Sequence, residues 1–483
     1  MAKVLFSHSY FYRLDAKQWK QAEPFPPLMT ITAAAHLRQN GFDVALFDVA
    51  LKASEEGLDK LLEEHKPDYF VIFDDGFNWL TKMCLSTMRE AAFRMQRIAK
   101  SRGIKVITCS SDSTDHVKKY LDQEADVVIR GEGERTLLEL INAFEEESDI
   151  SGVKGISFKK DDEIVATPKR PALVNLDELP QPAWDLIEVD KYKTIWKNNG
   201  KPPYLNIATT RGCPYKCNWC AKPIYGTRYN SRSPQRVVDE IEYHAIHNQV
   251  NHFWMCDDIF GLKPGWVQQF RDELQNRQLK VRFKIQSRAD LLLKEDNIQA
   301  LVDSGLDEVW IGAESGSQKI LDAMDKGTSV AQIHESTNLL KKHGVKVGFF
   351  IQYGYLGETL QDINLTIKMI KELLPDLLGI SVSYPLPGTK FYDLVKSDLQ
   401  QKANWVDSDD LDMMFKNTYQ PAFYKVLHKY THNIYKIEKG FRAARQFLVR
   451  PHQQTRVKIR EIIRAGYHIP LAIIKTIQLR WLA

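Results

Sequence analysis

Short apolar runs alternate with helical patterns twice along this 483-residue chain, and that double alternation narrows its fold more than any single motif. In residues 1–150 the runs Val4–Phe6, Val44–Phe47, Tyr69–Phe73, Val106–Thr108 and Ala125–Ile129 read as strands. Pro27–Asn40, Ser54–Glu64, Leu80–Arg102 and Glu134–Glu147 read as the helices between them. This order predicts a parallel sheet covered on both faces, with any ligand at the carboxyl ends of its strands. Residues 151–200 hold short strand-like pieces and then Leu179-Pro180-Gln181-Pro182. Two prolines so close break helix and strand alike, so the segment reads as a linker.

The second alternation fills residues 201–395. Its strands are Leu205–Thr209, His252–Cys256, Arg282–Gln286, Glu308–Gly312, Gly348–Ile351 and Gly379–Val382. Helical segments such as Gln235–Asn248, Pro264–Asn276, Asn297–Ser304 and Val330–His343 separate them. Six such units are too few for an eight-unit barrel and suit a partial (β/α)6 barrel of the TIM type. Residues 396–483 read as a mostly helical extension.

With 43% hydrophobic and 27% charged residues, the chain can bury sizeable cores, which excludes wholesale disorder. Six cysteines without a paired framework exclude a disulfide-stapled secreted protein. No apolar run approaches the ~18 residues of a membrane span. The start, Met1-Ala2-Lys3-Val4-Leu5-Phe6-Ser7, turns polar too soon for a secretory signal, so the expected compartment is the cytoplasm. The net charge of +4 implies no partner, but nine Lys and Arg against one acid, Glu461, lie between Phe441 and Ala483. In 456–483 apolar residues interleave with these cations, and Gly466 and Pro470 are expected to divide the tail into two short helices. A basic amphipathic tail ending Trp481-Leu482 suits the inner face of a membrane; its alternative is a helix folded back onto the barrel.

Chemistry concentrates in Thr209-Thr210-Arg211-Gly212-Cys213-Pro214-Tyr215-Lys216-Cys217-Asn218-Trp219-Cys220, just after the first strand of the second alternation. Cysteines 213, 217 and 220 can hold three corners of a cubane iron–sulfur cluster, since thiolates are the usual ligands of such centres. No fourth cysteine follows in the loop, which leaves one iron open for catalysis. Structural zinc would want a fourth, paired ligand, and only the distant His244 and His247 are on offer.

The loop Cys213-x3-Cys217-x2-Cys220 with Trp219 resembles the radical S-adenosylmethionine (SAM) superfamily. Trp254-Met255-Cys256-Asp257-Asp258, Ile311-Gly312-Ala313-Glu314-Ser315 and Tyr384-Pro385-Leu386-Pro387-Gly388 are similar to strand-end segments of its cobalamin-binding branch. That branch includes anaerobic magnesium-protoporphyrin ester cyclases and hopanoid-modifying enzymes. Phe25-Pro26-Pro27-Leu28, Gly131-Glu132-Gly133-Glu134 and Leu176-Asp177-Glu178-Leu179-Pro180 resemble its N-terminal half, so the likeness covers roughly residues 1–400.

This resemblance implies an N-terminal doubly wound, Rossmann-like cobalamin domain (1–150), a linker (151–200), a radical SAM barrel (201–395) and a helical extension (396–483). It implies a [4Fe-4S] cluster on Cys213, Cys217 and Cys220, which are both metal ligands and catalytic. SAM contacts fall to Trp219, Ser287, Arg288, Glu314 and Pro385, and cobalamin contacts to Pro27, Leu28, Ser110, Gly131 and Glu132. Asp257 and Asp258 either line the substrate pocket or cap the next helix. The implied reaction is activation of an unreactive C–H carbon ending in C-methylation; the alternative is cobalamin-assisted oxidative cyclisation or rearrangement. A small-molecule or lipid-like substrate and a flavodoxin- or ferredoxin-type electron donor are implied, and no nucleic acid. A transfer-RNA methylthiotransferase would add three N-terminal cysteines, whereas this chain has only Cys84 and Cys109 there. A purely sensory cobalamin module would not need the cysteine loop. The branch usually has Gly-Gly-x-His after its fourth strand; here stands Cys109-Ser110-Ser111-Asp112-Ser113, and Asp-x-His-x-x-Gly is absent. A histidine ligand to cobalt is therefore not expected, with His8 and His116 the candidates nearest the strand ends.

Overall fold

The structure, a computed structural model, describes residues 2–77, 79–294, 297–449 and 456–483. Five parallel strands open the chain: β1 (Lys3–Ser7), β2 (Asp43–Phe47), β3 (Tyr69–Phe73), β4 (Lys105–Cys109) and β5 (Val127–Ile129). An antiparallel hairpin, β6 (Ile156–Lys160) and β7 (Glu163–Ala166), extends the sheet along β5, giving the order 2-1-3-4-5-6-7. β3 is buried at every residue, as a central strand covered on both faces must be. The order reverses between β1 and β3, and that switch point opens a crevice at the carboxyl edge of a doubly wound sheet.

The second sheet is parallel throughout. After β8 (Leu205–Ile207) comes a small pair, β9 (Thr210–Arg211) and β10 (Asn230–Ser231). β11 (His252–Met255), β12 (Arg282–Ser287), β13 (Leu306–Glu314), β14 (Lys346–Tyr353) and β15 (Leu377–Val382) complete it, in the spatial order 15-14-13-12-11-8. Six strands with no pairing between β15 and β8 make an open, partial barrel. The sequence places all six strands; it misses the helix Leu360–Leu373, and it runs Leu80–Arg102 together where the chain breaks between Trp79–Lys82 and Ser86–Lys100. Cys84, with φ of +55°, makes that break.

The carboxyl edges of the two sheets face each other through loops. Lys82, nine residues beyond β3, pairs with Asp258 beyond β11 at 2.5 Å. Phe77 packs on Tyr225, and the Tyr384 hydroxyl donates to the Met83 carbonyl. Residues 399–415 form an irregular strap over this seam. Its backbone accepts from Ser86 and Thr87, Asn404 accepts from Arg89, and Ser408 donates to Asp15.

The tail differs from its sequence reading. Arg456–Leu482 is one helix with Pro470 inside it, not two. A mid-helix proline costs about 3 kcal/mol, and here packing against helix Pro421–Val449 offsets it. Ala465 and Ala472 are buried in that contact, and His468 hydrogen-bonds Asn433 at 2.9 Å. The two helices touch most closely at Gly440, where a Cβ would lie 2.3 Å from the Ala465 Cβ and 2.7 Å from the Glu461 carbonyl oxygen. Gly440→Leu should therefore open the hairpin, with a loss of about 1–3 kcal/mol for overpacking. Limited proteolysis should cut 441–483 first while the barrel stays resistant; a hairpin as resistant as wild type would contradict the close contact.

Candidate functional site

Arg211 fixes the start of the cysteine loop. It stands on β9, fully enclosed, and reaches across to the first sheet, where its guanidinium donates to Glu132 at 2.8 Å and to Glu134 at 2.5 Å. Tyr225 lies against the same group, 5.1 Å from its ring centre. Burial works against the Arg211 charge, and Glu134, Tyr225 and Glu132 outweigh it. Next to it, Gly212 has φ of +79°, and a Cβ there would sit 2.0 Å from the Arg228 carbonyl oxygen, so only glycine fits. Asp257, at the carboxyl end of β11, accepts the N–H groups of Thr209 and Thr210 at 2.7 and 2.8 Å and the Thr209 hydroxyl. Burial pushes its pKa up to about 7 against those hydrogen bonds. Asp257 thus anchors the loop, and Asp258 holds Lys82; neither caps a helix.

Cys213, Cys217 and Cys220 are half-buried along the loop, and Lys222 donates to the Cys213 and Tyr215 carbonyls. Among the described residues, one group of three or more metal-type ligands gathers within 4.8 Å, and it is not this one. A single tetrahedral zinc would draw sulfurs to about 3.8 Å apart. Three thiols in one loop are the usual ligand chemistry of an iron–sulfur cluster. Burial pushes the Cys213 thiol up, and Cys220 up to about 12, so both wait for a cation to become thiolates. Cys256 supplies no fourth sulfur: it is buried and its thiol donates to the Ile207 carbonyl at 3.4 Å.

Around the loop the structure gathers several expected residues. Arg288 stacks on Tyr215 at 3.7 Å, pairs with Asp290, and brings Nη1 to 3.9 Å from the Cys217 sulfur. Ser287 ends β12, and Pro385 is buried just beyond β15. Glu314 ends β13 with φ of +55° beside a register shift, and Lys326 donates to it at 2.9 Å. That ion pair is buried. Trp219 is half-buried with Lys326 over its ring at 5.9 Å. Lys82, Lys326 and Asn218 escaped the sequence reading. Asn218 ties the loop to Ala323 and Tyr355, yet no spacing marks it.

At the first sheet, Pro27 and Leu28 open the helix Leu28–Gln39 and are buried, and Gly131 ends β5 against the Ile224 carbonyl. Glu132 is committed to Arg211 and to the Leu173 N–H. Ser110 caps the short helix Ser111–Asp115, and Asp112 is bound by Arg89 and Tyr120. This turn therefore offers side chains where a glycine turn would offer bare backbone. His8 is bound through Nε2 to Asp48 at 3.0 Å. The small crevice at the switch point is lined by Ser9, Asp74 and Arg89 together with Cys84 and Asp112, and by none of the residues expected to contact a corrinoid.

A doubly wound sheet facing a partial barrel with a three-cysteine loop defines the class, and comparison with known proteins agrees. Residues 207–370 match the radical SAM superfamily model, and the chain carries a radical SAM domain. It is 30% identical over 294 residues to an uncharacterized methyltransferase of Pyrococcus horikoshii, covering 60% of this chain and 62% of that one. It is 28% identical over 396 residues to the anaerobic magnesium-protoporphyrin IX monomethyl ester cyclase of Rubrivivax gelatinosus, covering 80% and 68%. The solved structure of OxsB, a cobalamin-dependent SAM radical enzyme with aqua-cobalamin and SAM bound, shares the fold. Its TM-score is 0.73 at 17% identity, over 98% of this chain and 72% of that one.

The Arg211 network yields a prediction. Arg211→Met leaves Glu132 and Glu134 buried without their cation, which should cost about 3–5 kcal/mol. Arg211→Lys should recover part of it. Denaturant unfolding of both variants checks this, and an unchanged midpoint for Met would refute the buried tie.

Proposed function

We propose that this protein is a cobalamin-dependent radical SAM enzyme that methylates an unreactive carbon. The observation that carries the reading is the three-thiol loop on the barrel's carboxyl edge, set against the carboxyl edge of a doubly wound sheet. When bound, the cluster with SAM would supply a carbon-centred radical oxidant, and cobalamin a methyl group. Cys213, Cys217 and Cys220 would hold three irons and leave the fourth for the SAM amino and carboxylate groups. Arg288 would pair with that carboxylate, and Glu314 would accept from the amino group or ribose hydroxyls, releasing Lys326 toward the carboxylate. Trp219 would cover the adenine. Ser287 and Pro385 would close the sides, while Lys82 and Asp258 would stand at the substrate entrance between the sheets. Ser110, Gly131, Pro27, Leu28 and Glu132 would bound the corrinoid. A flavodoxin- or ferredoxin-type donor would supply the electron. The relative named a cyclase supports the alternative outcome, oxidative ring closure.

Anaerobic reconstitution tests the reading. Wild type should bind a [4Fe-4S] cluster and release 5′-deoxyadenosine or demethylated SAM. Cys213→Ala, Cys217→Ala and Cys220→Ala should each lose the cluster absorbance and at least about 100-fold in turnover, as expected when the group doing the chemistry goes. Cys109→Ser should lose neither. Bound cob(II)alamin should show no nitrogen hyperfine splitting from a protein imidazole in its paramagnetic resonance spectrum.

The tail supports a peripheral membrane contact. Ile459, Ile463, Tyr467, Ile474, Ile477 and Trp481 are exposed along one helix, with Trp481 at 86%. Arg460, Arg464, Lys475 and Arg480 accompany them. No helix among the described residues is long and apolar enough to cross a membrane, so contact would be in the plane of the surface. Each cation near an anionic surface contributes about 1 kcal/mol. Anionic vesicles should bind the protein at low salt and release it as salt rises. Deleting 456–483 should abolish binding and leave the cluster spectrum intact; a wild type indifferent to vesicles would make the tail a packing element.

A further inference from the structure

We propose that Cys84, Asp112 and His116 form a zinc site on the first domain, separate from the cysteine loop. The break before helix Ser86–Lys100 and the short helix after β4 bring one sulfur, one carboxylate oxygen and one imidazole nitrogen within 4.8 Å of one another. The Nε2 of His116 is buried and has no hydrogen-bond partner, although it lies 3.7 Å from the Asp112 Oδ1. A neutral imidazole with an unused, enclosed nitrogen is a ligand without a cation.

Asp112 keeps room for one. An ionised carboxylate offers about four acceptor positions. Arg89 Nε and the Tyr120 hydroxyl take two on Oδ2, and Arg89 Nη2 takes one on Oδ1. The remaining position is on Oδ1, the oxygen that faces His116, and the Cys84 thiol also hydrogen-bonds this carboxylate, a proton that a metal would displace. Arg89 also donates to Asn404, so it stays on its own side of the carboxylate.

The ligand types select the metal. Thiolate, imidazole and carboxylate together suit zinc, whereas magnesium and calcium want oxygen throughout. In a tetrahedral zinc site the donors stand about 3.3–3.8 Å apart, so the group would contract by under ~1.5 Å. Such a contraction lies within rotamer adjustments of Cys84 and His116. Binding would release the Cys84 thiol proton. Water or Asp115 would take the fourth position. The metal would pin the stretch between β3 and helix Ser86–Lys100, which carries Lys82, to the end of β4.

Zinc is measured on the full chain after anaerobic cluster reconstitution, so that the loop thiols are occupied, with no corrinoid added. After passage over a chelating resin, wild type should keep about one zinc per chain. Cys84→Ser and His116→Ala should each lose more than the ~10–100-fold in affinity that loss of a supporting residue costs. His65→Ala, an exposed histidine elsewhere, should keep the metal. X-ray absorption at the zinc edge of wild type should show one sulfur near 2.3 Å with nitrogen and oxygen near 2.0 Å. That measurement needs no variant to fold. Wild type retaining no zinc, a shell of several sulfurs, or a shell without sulfur would each overturn the proposal. Because cluster content is read in the same sample, failure of the zinc site is distinguishable from failure of the radical SAM reading.

Discussion

One enclosed guanidinium joins the two halves of this protein. Arg211 belongs to the barrel, and Glu132 and Glu134 belong to the turn after β5. A charge so deeply buried is tolerable only if fully compensated, so the two sheets must approach in one register for either to be stable there. Two residues further along the chain stands Cys213. The position of the cysteine loop is thereby set from the first domain as well as from the barrel, with Asp257 holding the same end of the loop through Thr209 and Thr210.

Around that loop, charge is arranged in pairs awaiting something else. Lys326 lies against Glu314 and Arg288 against Asp290, and both cations are near the Cys217 sulfur. Burial opposes the Lys326 ammonium, and Glu314 with the nearby Cys217 sulfur outweighs it. A zwitterionic ligand with an ammonium and a carboxylate could exchange partners with both pairs at no net change in buried charge. Pairing of this kind lowers the cost of desolvating acids and bases at such a site.

Most of the fold was legible because strand–helix alternation reports burial directly. Tyr69–Phe73 is an unbroken apolar run and is buried throughout, whereas barrel strands such as Arg282–Ser287 show themselves by alternating burial. The cysteine loop was legible because its chemistry depends on residue type and spacing within a few residues. Lys82, Lys326 and Asn218 were not: Lys82 and Asn218 act through partners far away in the chain, and Lys326 through Glu314 on a neighbouring element, none of which a local pattern encodes. Pro470 misled for the related reason that a local helix breaker was outweighed by a neighbour, the helix Pro421–Val449. The strap at 399–415 has no periodic pattern at all; its order comes from the seam it covers.

That strap sets an order of events in synthesis. The first sheet is complete once β7 has left the ribosome, and domains generally fold as they emerge. Yet Arg89, Ser86, Thr87 and Asp15 find their last partners only in residues 404–408. At roughly 5–20 residues per second, the nascent first domain spends tens of seconds with that face open. During this interval Arg89, which lines the crevice, and Asp15 lack their strap partners Asn404 and Ser408. The final set of the first domain's polar contacts is therefore completed only after the whole barrel sequence has been made.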